Sequence, residues 1–147
     1  MYDHAMMMQE KYPGIKIVCM GDMNDNPTDP SMAEYLHGKE NLSDVGEKDF
    51  YSPFIEMLKD GHGSLAYRGV WSIYDLLLVN NALANAPDGG LKITPLGKKG
   101  YHGHIFRAKF LTNQKGQYKD TPFRTFSNGA FIGGYSDHYP TYIVISK

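Results

Sequence analysis

The sequence predicts an α+β domain built in layers. Helical patterns occupy the early part of the chain, β-branched and aromatic runs fill the later part, and turn signals such as "NQKG" part those runs. At 147 residues the chain suffices for one domain with a real core, since a domain of this size buries roughly two thirds of the surface its unfolded chain exposes. Residues 1–147 therefore read as a single domain.

The elements follow in order. Ala5, Met6, Met7 and Met8 with Gln9, Glu10 and Lys11 form a helical stretch stopped by Pro13 and Gly14, with the methionines as its packed face. A chain that begins inside a helix reads as a piece of a longer one. "IKIVCM", Ile15–Met20, is a short apolar run bounded by glycines and predicts a buried strand, with the lone cysteine, Cys19, as a buried thiol that has no disulfide partner. In "DPSMAEYLHG" Asp29 serves as N-cap, Pro30 as first helical residue and Gly38 as stop, so a helix is expected over Pro30–His37. Another is expected around Pro53–Leu58, closed by "DGHG".

Strands are expected over Val70–Asn80, "LKITPLG", "HIFRAKFL" and the closing "TYIVISK", with a turn at Asn113–Gly116. Trp71, Tyr74, Phe106, Phe110, Phe123 and Phe126 fall inside strand-like runs or beside them and are expected in the core rather than on a base-stacking platform. The net charge is −1 and the basic residues are scattered, so nucleic acid is possible as a partner but not indicated by charge. No window holds the roughly eighteen apolar residues of a membrane span. The start lacks the layout of a signal peptide, and nothing in the chain assigns a compartment.

Chemistry concentrates in "GDMNDNP", where Asp22, Asn24, Asp25 and Asn26 follow the first apolar run. One reading is a turn, since Asn and Asp satisfy their own backbone and Asn-Pro favours turn initiation. A calcium loop is excluded, because the position requiring Gly holds Pro27 and the one requiring Glu holds Ala33. A hydrolytic site is the third reading: on an extended backbone Asp22 and Asn24 share a face, the carboxylate to orient a water and the amide to donate to an oxyanion. Near the other end, "GGYSDHYP" sets Asp137 beside His138 in a Gly-rich loop, a pairing suited to metal binding and proton handling. Asp75, a single acid in an apolar run, calls for a cationic or imidazole partner.

Together the three segments resemble the endonuclease/exonuclease/phosphatase superfamily, the group of DNase I and the abasic-site endonucleases. "GDMNDNP" is similar to its GDFN-x-x-P motif, "WSIYDLLLVN" to the strand with Asp in I-D-x-I-L-V-S, and "SDHYP" to the closing S-D-H-x-P. The resemblance implies part of a four-layer α/β sandwich of the DNase I-like type, mainly antiparallel sheet with flanking helices. It implies a phosphoester hydrolase using Mg²⁺ or Mn²⁺: Asp22 at the attacking water, Asn24 on the phosphate, Asp137 at the metal, His138 donating to a phosphoryl oxygen and Asp75 orienting it.

The family's amino-terminal Asn, metal-binding Glu and middle-strand His have no counterpart here, since His4 lacks a strand context. The resemblance is therefore to the carboxyl-terminal half. It implies self-association or pairing with an amino-terminal half, or alternatively a half-domain without turnover. Arg124 in "PFRTF" is a candidate phosphate contact, with an exposed loop arginine as the plainer reading. His102 and His104 are spaced like a metal pair but lack an identifiable third ligand.

Overall fold

In a computed structural model that describes residues 1–147, the early helix is α1, Tyr2–Lys11, ending where Pro13 removes a donor. The first apolar run forms β1, Val18–Asp22, and Gly38–Lys39 and Phe50–Tyr51 form the short β2 and β3. Helix α2 is Ile55–Lys59; β4 (Leu65–Tyr67) and β5 (Val70–Ser72) make a hairpin; β6 is Asp75–Asn80, followed by α3, Asn81–Ala84. Then come β7 (Lys92–Thr94), β8 (Gly103–Ile105), β9 (Phe126–Ser127), β10 (Ala130–Phe131) and β11 (Thr141–Ser146). Strand pairing is antiparallel throughout except between β2 and β3, so the α+β class stands.

Four strands form one sheet in the order β1-β6-β3-β2, and β11 pairs with both β7 and β8 in a second. Strand β6 is the hinge of the core. Its alternation sends Leu76 and Leu78 into a cluster with Ala5, Cys19, Phe50, Phe54 and Ile73, and Val79 into another with Tyr51, Leu83 and Ile93. Ile143 of β11 packs against both clusters and so ties the second sheet to the first. Buried Asn80 is fully used: its Oδ1 accepts from Ile17 N at 2.9 Å while its Nδ2 donates to Gln9 Oε1 at 2.8 Å and to Ile15 O at 2.9 Å. That network fixes the link between α1 and β1.

Several expectations are corrected. The run Ile15–Met20 is not a buried strand: β1 is an edge, and of its residues only Cys19 is buried, with Met20 66% exposed. The Cys19 thiol is pushed up by that burial. Pro30–His37 yields a single π-helical turn, Ser31–Tyr35, because the Asp29 carboxylate accepts from Asn26 N at 2.7 Å instead of capping a helix. Val70–Asn80 is two strands, and "HIFRAKFL" is a strand only to Ile105 before a 3₁₀ turn at Lys109–Leu111. None of the aromatics expected in the core is buried, and Phe106, Phe110 and Phe126 are 48%, 59% and 58% exposed, because Phe106 and Phe110 lie beyond the end of β8 and Phe126 sits in a two-residue strand paired on one side only. No helix is long and apolar enough to cross a membrane.

Candidate functional site

Antiparallel pairing of β1 with β6 places Asp22, the last residue of one, opposite Asp75, the first of the other. Residues far apart in sequence thus share one sheet end. His138 arrives from the loop before β11, with Nδ1 2.8 Å from Asp75 Oδ2 and 3.9 Å from Asp22 Oδ2. An ionised carboxylate only accepts, so Asp75 holds the proton on Nδ1 and leaves Nε2 available. Ser64, fully buried, donates its hydroxyl to the same Asp75 oxygen at 2.6 Å.

The loop is pinned from several sides. Tyr139 N donates to Ser64 O at 2.7 Å, Thr141 Oγ1 to Asp75 O at 2.8 Å, and His138 N to Ser136 Oγ at 3.1 Å. Gly134 lies so close to the carbonyls of Phe123 and Arg124 that a Cβ would collide with backbone. The imidazole is therefore positioned by backbone contacts on either side of it.

The "GDMNDNP" segment divides into structural and open residues. After Met23 N donates to Tyr74 O at 2.8 Å, Asn24 turns left-handed at φ 53, so Asp22 and Asn24 do not share the face of an extended strand. Asn is among the side chains that tolerate this conformation. Its backbone N–H instead donates to Asp22 Oδ1 at 3.0 Å, leaving the exposed side-chain amide without a protein partner. Asp25 accepts from Ser31 Oγ at 2.5 Å, and Asn26 Oδ1 accepts from Ile73 N at 3.0 Å across the break between β5 and β6. Asn26→Ala is accordingly expected to cost about 1–3 kcal/mol in urea denaturation, because the Ile73 N–H is stranded beside a fully buried side chain.

The ligand atoms of Asp22, Asp75 and His138 lie within 4.8 Å of one another. Asp137 and Arg124, both exposed, do not join that trio; they line an adjacent cavity of about 520 Å³ together with Trp71 and Tyr118. His102 and His104 belong to neither feature. His102 Nδ1 is 3.0 Å from the Tyr51 hydroxyl, and His104 stacks on Tyr142 with its buried Nε2 unpartnered.

Burial holds the His102 and His104 imidazoles below the ordinary histidine value; for His102 the neighbouring His104 adds to the effect and Glu56 opposes it. The unfolded chain then binds more protons than the folded one just below the ordinary histidine value, so these groups withdraw stability as pH falls through about 6.5. Melting at about pH 5.5 is expected below that at about pH 7.5, with the difference narrowed in His102→Gln.

The sequence pattern of the Endonuclease/Exonuclease/phosphatase family matches residues 3–147. The chain belongs to this family. No curated protein and no solved structure matches it. Membership in the endonuclease/exonuclease/phosphatase family assigns a phosphoesterase type of chemistry. Ser64 has no signature in the sequence, since a serine in "DGHGS" carries no motif; the one signal for it is the need of a half-buried Asp75 carboxylate for hydrogen-bond donors, hydroxyls included. Tyr118 was likewise unremarkable, whereas Trp71, expected in the core, is half-buried and lines the same cavity.

Proposed function

We propose that the chain is a divalent-metal-dependent phosphoester hydrolase in which water attacks phosphorus. The observation that carries this reading is the Asp75–His138 pair, 2.8 Å apart and set beside Asp22 at the end of β1 and β6. His138, held through Nδ1, uses Nε2 to donate to a phosphoryl oxygen in the transition state. Asp22 accepts from and orients the attacking water, and the free Asn24 amide donates to the phosphate without adding charge. Asp75 and Ser64 position the imidazole, and Arg124 contacts an anionic oxygen.

The donor chemistry fits a hard cation. Asp22 is exposed and offers Oδ2 free of hydrogen-bonded protein partners, and Asp137 likewise has none, whereas the nearest oxygen of Asp75 is taken by Ser64 and His138. Either free carboxylate, Asp22 at the trio or Asp137 beside the cavity, would suit Mg²⁺ or Mn²⁺, ions that bind through one or two carboxylates and keep several waters. Such an ion supplies neutralisation of charge on the phosphate.

The domain is the carboxyl-terminal half of a DNase I-like four-layer sandwich in this reading. The exposed edge of β1, with Val18 and Met20 uncovered, supports completion of the sheet by an amino-terminal half or by self-association. Hydrolysis of bis(p-nitrophenyl) phosphate and p-nitrophenyl phosphate, with Mg²⁺ and with chelator, tests the reading. Turnover should require metal and fall about a hundredfold or more in Asp22→Ala. Chelator-insensitive turnover, or none from a folded sample, would sink it.

A further inference from the structure

The cavity lined by Asp137 and Arg124 combines aromatic rings with guanidinium groups. Tyr67 and Tyr118 line it while remaining 65% and 57% exposed, and Trp71 completes the set of rings. Arg68 lies 5.2 Å over the Tyr67 ring, and neither Arg68 nor Arg124 has a carboxylate partner among the ion pairs of the protein. Uncommitted guanidiniums are suited to bidentate recognition of an anion. Exposed ring faces inside a concave surface are suited to a planar ring.

The cavity also abuts the loop that carries His138. Trp71 stacks at 6.4 Å on Tyr139, the residue after His138, and Asp137, the residue before it, lines the wall. A group esterified to a phosphate at the trio would therefore enter this space. Resting on the phosphoesterase reading for that placement alone, we propose that the cavity is the subsite for the organic part of the substrate and takes a nucleotide moiety. The planar base lies against Tyr67, Trp71 and Tyr118, and anionic oxygens of its phosphate meet Arg68 and Arg124.

Other phosphoester classes fit less well. A polyol phosphate has no ring to cover the tyrosines, and an acyl chain leaves the guanidiniums unanswered. A long polynucleotide would call for a basic track, which a chain of net charge −1 with scattered lysines does not present. A nucleotide of small-molecule size satisfies both halves of the wall, within the usual size range of ligand pockets.

Trp71 is the single tryptophan of the chain, so its fluorescence reports on this cavity directly. The full chain is titrated with AMP, with adenosine, which lacks the anion, and with ribose 5-phosphate, which lacks the ring. AMP is expected to saturate the Trp71 response at concentrations about tenfold or more below either fragment. Tyr118→Ala should bring AMP to the level of ribose 5-phosphate while Tyr118→Phe keeps its advantage; both change an exposed side chain, and an unchanged melting temperature confirms folding.

AMP no tighter than ribose 5-phosphate, or AMP binding indifferent to Tyr118→Ala, overturns the inference. Hydrolysis of bis(p-nitrophenyl) phosphate in the same preparation separates the two readings. Turnover without AMP preference removes the nucleotide subsite alone. AMP preference that persists without turnover, and in His138→Ala, upholds the cavity as a nucleotide site and removes the phosphoesterase reading.

Discussion

His138→Ala is expected to lower metal-dependent phosphodiester hydrolysis by about 10²–10⁴-fold, the span typical of a lost acid–base group. The melting temperature should hardly change. The imidazole is 21% exposed and its protein partner is the Asp75 carboxylate, which keeps the Ser64 hydroxyl when the ring is removed. The loop also keeps its backbone ties through Tyr139 N, His138 N and Thr141 Oγ1. A catalytic loss without a folding loss is therefore the signature.

Asp75→Asn distinguishes contact from positioning. An asparagine oxygen can still accept from Nδ1 and from Ser64, but the neutral side chain stabilises a positively charged imidazole far less. The expected outcome is a smaller fall in kcat with KM nearly unchanged, since Asp75 acts through His138. Retention of more than about a tenth of wild-type kcat in His138→Ala would remove the imidazole from the reaction.

The chemistry-bearing residues were legible in sequence because they are dense in unusual places: Asp22 at the end of an apolar run, Asp75 alone within one, His138 beside Asp137 among glycines. Their meeting was not legible from spacing. It depends on the register Asp22↔Asp75 and on β11 docking by way of Ile143, both long-range pairings with no local signature. The resemblance supplied the association, and the strand register supplies its physical cause.

Elsewhere local signals were overridden or passed over. The apolar run at Ile15–Met20 looks buried because β-branched residues suit a strand covered on both sides, yet β1 has a partner on one side only. Asp29 resembles a helix cap, but Asn26 N claims its carboxylate and the helix contracts to one turn. Asn128-Gly129, both at positive φ, turns the β9–β10 hairpin; that dipeptide is the strongest short-range hairpin signal, and the hairpin is absent from the sequence expectations, which name a turn only at Asn113–Gly116. Short strands also misled on burial, since Phe126 and Phe131 pack edge-to-face on each other and stay in solvent.

The largest stability effect is expected from Phe54→Ala. Phe54 is fully buried at the start of α2 and belongs to the cluster that Leu76 and Leu78 of β6 also enter. Deleting its ring should cost about 3–5 kcal/mol, a large share of the roughly 5–15 kcal/mol that separates a folded domain from its unfolded chain. Across from it sits Gly103 of β8, where a Cβ would come within 2.8 Å of two Phe54 ring carbons and of Pro53 O. Strand β8 pairs with β11, so this contact seats the second sheet, and the His138 loop that leads into it, against α2.

Gly103→Ala alone should therefore destabilise by about 1–3 kcal/mol through overpacking. In the Phe54→Ala background the ring is gone, while the Pro53 carbonyl still opposes the new methyl. The double variant should lose less than the sum of the single losses by at least about 0.5 kcal/mol in urea denaturation. Strict additivity would mean that the ring and the glycine do not share the packing that joins the two sheets.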